Sequence, residues 1–325
     1  MSSAADFRKG IFASGLVRGF VRWLDASPHP PLACEIMPGQ IAAARFTRTG
    51  GVDGFAVEAL PPGAIVPSAV EPNIINTSAV RTAMGSVFSR LGARDTDVAL
   101  LLPDPVIRVF VQHFEEFPRK PQEALPILRW KLKKSVPFET EETQISYMRQ
   151  QPREEGVDVV TALARQRIVR EYEALAEAAG LHPGVVLSSS LAAVSLLEDR
   201  GPTLLARVSG TSLTTAIVRQ GILCGYRCTE LPQESSMVTP AVLLEEVFPV
   251  AAYYQDTWQE EIRSVRVAGL GRRLNEFTGP FEAEFHCPVR GLLSAAAVDG
   301  TLRGDARSLA ERELDGLAGW MLHHG

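Results

Sequence analysis

The sequence has no apolar run approaching the ~18–20 residues that a membrane-spanning helix requires. Its opening, MSSAADFRKG, has no hydrophobic core behind it to read as a signal peptide. Cysteine is scarce: four residues, at 34, 224, 228 and 287, lack the spacing of a disulfide framework, as expected in a reducing compartment. No basic excess is present; the net charge of −5 offers nucleic acid no attractive field. Metal-ligand spacing is missing too. Cys224 and Cys228 would face one side of a strand, but no second Cys/His pair accompanies them, so they read as small buried thiols. These absences leave a cytoplasmic globular protein with no metal site and no evident catalytic residue. At 325 residues, 46% of them hydrophobic, the chain is long enough for two domains that each bury a core.

What is present is a strand–turn–strand unit that occurs twice. The first copy is LACEIMPGQIAAARF, from Leu32 to Phe46, continuing after Gly50-Gly51 into FAVEAL. The second is LLARVSGTSLTTAIVRQG, from Leu204 to Gly221, continuing into ILCGYRCTEL. Each is an apolar run, a Gly-containing turn, an alternating run, a second turn and a third strand. Two β-meanders far apart in one chain point to a duplicated domain with a cleft between the halves.

Other segments fill in the organisation. In GIFASGLVRGFVRWL, Phe12, Leu16 and Phe20 recur every four residues, with Arg18 and Arg22 on a more polar side. Such a basic amphipathic segment either lies on an anionic membrane surface or packs on its own domain or a partner. A helix is expected from 78 to 91, capped by Thr77 and ended by Gly92. DVALLLPD reads as a buried strand, and IRVFVQHF alternates Ile107, Val109 and Val111 against polar neighbours. A basic helix over 125–138 carries Leu125, Leu128, Leu132 and Val136 on one stripe. Two strands, TQISYMRQ and VDVVTALA, and a helix over 167–179 complete a small α+β unit inserted after the first meander. Beyond the second meander, AVLLEEVFPVAAYYQDTWQEE reads as a helical stretch interrupted by Pro249. SVRVAGLGRRLNEF follows as strand, glycine turn (Gly269, Gly271) and helix, and ARSLAERELDGLAGWML as a final helix.

The order of these pieces resembles the type IV pilus assembly protein PilM family, relatives of the actin-like cell-division protein FtsA. The resemblance covers about Leu32 to Leu322 and is most specific from the LPPGAI loop through LLLPDPVIRVFVQHFEEFP to LRWKLKKSVPFETEETQISY, where Val136-Pro137-Phe138, three glutamates and Tyr147 stand in the family's order. It implies an α/β, actin-like (ribonuclease H-like) fold of two duplicated domains with an inserted α+β subdomain and a truncated second lobe. The implied units are an N-terminal helix and linker (1–31), a first subdomain (32–97), the insertion (98–165) and a second domain (166–325).

The family's nucleotide loops are altered here. The first reads Glu35-Ile36-Met37-Pro38-Gly39, with Met37 in place of a phosphate-approaching glycine. The second reads Arg207-Val208-Ser209, with Gly210 one place late and Thr211 after it, so an arginine replaces a carboxylate that orients metal-bound water. Gly269 and Gly271 resemble the third nucleotide-contacting turn, and the helices that would flank adenine, between Leu231 and Trp258, are shortened. Together these residues form a degenerate ATP/Mg site, in which Arg207 could still attract a phosphate. The function the resemblance implies is a scaffold without ATPase activity, peripheral to the inner membrane, that captures the short cytoplasmic tail of a PilN-like single-span protein. Contacts with other pilus assembly proteins are implied as well, and self-assembly is left open. The alternatives are a nucleotide-binding actin-like ATPase and a GspL-like secretion component. Ile107, Val109, Val111, Leu128, Leu132, Val136, Pro137 and Phe138 would line the tail groove; the same side chains also read as ordinary core between helix and sheet.

Overall fold

The computed structural model describes residues 30–47, 51–92, 95–152, 156–197, 201–232, 236–298, 308–309 and 312–322. The amphipathic segment GIFASGLVRGFVRWL, residues 10–24, lies outside them.

Both meanders form as the alternation dictates. Strands β1 (Leu32–Met37), β2 (Gln40–Phe46) and β3 (Val52–Ala59) pair antiparallel in turn. Strand β4 (Asp97–Leu102) then pairs parallel to β1, and β8 (His182–Ser188) parallel to β4, giving the order β3-β2-β1-β4-β8. The second lobe repeats this plan with β9 (Thr203–Ser209), β10 (Ser212–Arg219), β11 (Ile222–Glu230), β12 (Ser264–Ala268) and β13 (Val289–Gly291), in the order β11-β10-β9-β12-β13. The duplication is therefore carried by the sheets, meander and parallel strands alike. Because β4 and β8 are strands of the first sheet, the boundaries at 98 and 166 cut through the first lobe. Parallel partners distant in sequence leave no local mark of where they pair.

Between β4 and β8 sits a three-stranded sheet, β5-β7-β6, made of β5 (Arg108–Phe114), β6 (Thr143–Pro152) and β7 (Val157–Arg165). Of the helices, α1 (Thr77–Leu91) packs on the first sheet and α2 (Pro121–Leu132) on the inserted one. Helix α1 is capped by Asn76, whose side chain accepts from the Ala79 N–H, one residue before the expected Thr77; Gly92 closes it in the left-handed conformation at φ 56°. Helix α2 ends at Leu132, so Val136, Pro137 and Phe138 follow it rather than extend its stripe. Helix α3 (Gln166–Ala178) carries the buried face Ile168, Tyr172 and Leu175 and leads back into β8. The Gln150 side chain donates to the Leu223 carbonyl and accepts its N–H, both at 2.8 Å, which ties the insertion to β11 of the second lobe.

Three further helices lie in the second lobe. Helix α5 (Pro240–Trp258) runs unbroken through Pro249, and α6 (Leu274–Phe285) runs through Pro280. Each proline forfeits one backbone hydrogen bond without ending its helix. Helix α7 (Leu292–Val298) follows β13. Two short helices meet in the centre of the molecule, α4 (Ser189–Ala193) after β8 and α8 (Asp315–Met321) near the end of the chain. The last helix is shorter than the sequence suggests, since Glu313, at φ 54°, turns the backbone just ahead of it. All seven residues of α8 are buried, Trp320 completely. A side chain at Gly319 would run into the Ala192 carbonyl, so glycine there lets α8 lie directly on α4. No helix among the described residues is long and apolar enough to cross a membrane.

Candidate functional site: a buried arginine among three carboxylates

The two lobes meet at their central strands. Glu35 lies on β1 two residues before the end of its hairpin arm, and Arg207 occupies the matching place on β9. These equivalent positions face one another: Arg207 Nη2 donates to Glu35 Oε1 at 2.8 Å. The guanidinium has two more acidic partners. Its Nε donates to Asp315 of α8, and its Nη1 lies 3.3 Å from Asp104 Oδ2 and 3.2 Å from Ser190 Oγ. Arg207 is 3% exposed and Glu35 fully buried.

The carboxylates are further satisfied by hydroxyls and backbone. Asp104, just after β4, accepts from the Ser190 N–H at 2.9 Å, from the Ser188 and Ser190 hydroxyls, and from Thr214 Oγ1 at 3.0 Å. The Tyr226 hydroxyl lies 3.0 Å from Ser188 Oγ. Glu35 accepts from the Ser189 hydroxyl and, at 3.2 Å, from the Leu317 N–H in α8. Gly316 makes this approach feasible, because a Cβ there would stand 2.5 Å from Glu35 Oε1 and Ser189 Oγ. The cluster replaces water with fixed donors, which is what a buried ion network needs.

Its charges do not balance: one guanidinium faces three carboxyl groups. Burial pushes the Glu35 carboxyl up to about 7, Arg207 works against that rise, and Asp315 adds to it. For Arg207, burial acts to lower its pKa, but Asp315, Asp104 and Glu35 outweigh it and hold the guanidinium charged.

Measured against Mg·ATP, the residues do not fit. The cationic place between the lobes is filled by the Arg207 side chain, whose donors are directed at the three carboxylates and Ser190. The two hairpin turns also close on each other: a Cβ at Gly210, φ 59°, would stand 3.2 Å from Pro38 Cγ. Beside the third turn lies a cavity of about 120 Å³, lined by Gly269, Leu270, Gly271, Leu292, Glu313 and Asp315 among others. Ligand pockets commonly reach ~300–1,000 Å³, and this one presents carboxylates where a phosphate would need cations. Gly269, φ 78°, serves close packing instead, since a side chain there would collide with the Val208 carbonyl.

The residues expected from sequence are thus partly united. Glu35 and Arg207 meet; Gly39 and Thr211 stay exposed at the turn tips, with Ser209 and Gly210 half-buried between them. Asp104, Asp315, Ser188–190, Thr214 and Tyr226 were not singled out, and their only local marks are the Ser-Ser-Ser run and the Asp-Gly step. Of the groove residues, Leu128 and Leu132 are fully buried, Leu128 in the insertion's own core with Phe117, Ala124 and Val159. Ile107 and Val109 are also buried, so none of these four can anchor a partner. Val111, Val136 and Phe138 are half-buried and Pro137 is exposed.

Solved structures are similar to this chain to different degrees. A chain of a PilM-PilN type IV pilus biogenesis complex superposes with a TM-score of 0.70 at 16% identity, over 92% of this chain and 100% of that one. The ethanolamine utilization protein EutJ from Carboxydothermus hydrogenoformans follows at TM-score 0.49 and 10% identity, over 92% and 90% of the two chains. A Bacteroides thetaiotaomicron protein with an actin-like ATPase fold and unknown function gives 0.47 and 10%, over 82% and 91%. No protein-family model matches the sequence, and no curated protein does. The fold is actin-like, with the inserted three-stranded unit.

Two predictions follow from the ion cluster. Arg207→Met strands three carboxyl groups in the interior and lowers stability by about 3–5 kcal/mol in denaturant unfolding, and adding Glu35→Gln and Asp315→Asn recovers part of that loss. A loss below about 1 kcal/mol would contradict the assignment. The second concerns pH. Since folding lifts the Glu35 pKa from 4.5 to about 7, the folded chain holds a proton that the unfolded chain releases. The resulting stabilisation is present below pH 4.5 and is lost as pH rises through 7. Unfolding profiles of Glu35→Gln should lack that fall; profiles parallel to wild type would contradict it.

Proposed function

We propose that this chain is an actin-like scaffold of a type IV pilus or related envelope assembly, working without nucleotide turnover. It is a reading in which the buried guanidinium of Arg207 holds the lobes together in place of a metal–nucleotide complex. The observation that carries it is the position of Arg207, on the strand residue of the second lobe equivalent to Glu35 and paired with Glu35, Asp104 and Asp315.

The partner in this reading is the short cytoplasmic tail of a PilN-like single-span protein of the inner membrane, to which the scaffold would be peripheral. The likeness of fold to a chain from a PilM-PilN complex supports it. So does apolar surface where the first lobe meets the insertion. Val66 is 51% exposed on the loop before α1. Arg165 of β7 reaches that loop at the Val70 carbonyl, 3.4 Å away, and its guanidinium lies 6.0 Å from the Phe138 ring centroid. A tail docking here would use Val66, Val136 and Phe138 as apolar contacts and Arg165 as a donor, in place of the buried Leu128 and Leu132.

Calorimetric titration with a synthetic copy of the PilN-type tail from the same cell tests this. Binding should weaken at least about tenfold in Phe138→Asp, a loss of about 1.4 kcal/mol, and be indifferent to Mg·ATP. No binding by a folded sample, or Phe138→Asp behaving as wild type, would overturn the groove.

A further inference from the structure

Helix α5 is apolar on two sides. Leu243, Val247, Ala251 and Tyr254 face inward and are buried. On the outward side Phe248 is 50% and Tyr253 68% exposed. The spacing i, i+3, i+4, i+7, i+8, i+11 puts Glu245, Phe248, Pro249, Ala252, Tyr253 and Asp256 on one outward arc. Two aromatic side chains therefore flank the small residues Pro249 and Ala252, with a carboxylate at each end, about 16 Å apart along the axis at 1.5 Å per residue. An apolar face of this kind on a surface helix marks an interaction site.

Charge says what covers it. Residues 229–262 contain seven acidic residues and no Lys, Arg or His. Glu246 and Glu260 have counter-ions from neighbouring strands, Arg227 at 3.5 Å and Arg219 at 2.5 Å. Glu245 and Asp256 are exposed on the arc itself. Pro249 has no N–H, so the Glu245 carbonyl lacks its helical donor and adds an acceptor to the same face. An anionic lipid surface would be repelled. A second copy of this face would set acid against acid in either direction.

We propose that the outward face of α5 is a docking site for a basic amphipathic helix, whose apolar side packs on Phe248, Pro249, Ala252 and Tyr253 while its cations reach Glu245, Asp256 and the free carbonyl. Opposite potentials speed encounter and fix register, and the aromatic pair supplies the desolvated contact. The site is separate from the tail groove and from the ion cluster.

Two fluorescent helical peptides of about 18 residues, one of Leu and Lys and one of Leu and Glu with the same apolar spacing, probe it against the full chain. The Lys peptide should bind, with affinity falling as salt shortens the Debye length from about 10 Å toward 3 Å. Phe248→Asp with Tyr253→Asp should weaken it about tenfold or more; both positions are exposed, so circular dichroism should be unchanged. Glu245→Lys with Asp256→Lys should transfer the preference to the Glu peptide. Phe138→Asp should leave binding intact. Failure of the Lys peptide to bind, equal binding of both peptides, indifference to the aromatic or charge-reversal changes, or loss in Phe138→Asp would each overturn the proposal.

Discussion

The structure depends on one buried ion cluster. Arg207 of the second lobe is held by Glu35 of the first sheet, by Asp104 at the root of the insertion and by Asp315 of the last helix. These groups come from four separate stretches of chain and meet nowhere else. Burying such charges gains little net free energy, but once they are buried the removal of one partner costs heavily. The cluster therefore acts as a specification. The lobes, the insertion and α8 must all be in place for any of these charges to be satisfied. Arginine suits the task because its planar fork of five donors stays charged and reaches several acceptors in fixed directions.

The same arrangement explains how two actin-like lobes surround a cleft with little space in it. Pro38 and Gly210 bring the hairpin turns into contact, and the serines of α4, Thr214 and Tyr226 supply the donors that solvent would otherwise give. On our reading, rigidity that a nucleotide would contribute on binding is built into the chain, leaving the outer surfaces to carry function. These surfaces are distinct in chemistry: Val66, Phe138 and Arg165 where the first lobe meets the insertion, and an acidic aromatic face on α5.

Much of the fold was legible because it is local. Alternation with period two and the turns at Pro38-Gly39 and Gly210-Thr211 mark the meanders, and the same register placed Glu35 and Arg207 at equivalent positions. The pairing of β4 and β8 into the first sheet was not legible, since a parallel strand carries no sign of its neighbour. Nor was the cluster. Asp104 and Asp315 lie more than a hundred residues from Arg207, and each looks like an ordinary turn or helix-start acid. The stripe Leu128 and Leu132 was visible, but periodicity gives a face without saying whether a sheet or a partner covers it; here the insertion's own core takes Leu128. Pro249 reads as a break, yet the surrounding helix absorbs it.

The central claim is that Arg207 holds the place a metal–nucleotide complex would take. The melting temperature of the full chain, with and without millimolar Mg·ATP and with Mg²⁺ alone as reference, tests it most directly. Ligand at about 100 times its dissociation constant stabilises a fold by about 2.7 kcal/mol. The account predicts no rise beyond that given by Mg²⁺ alone. A clear rise with Mg·ATP would mean that the cleft opens and Arg207 yields its carboxylates, and would contradict it.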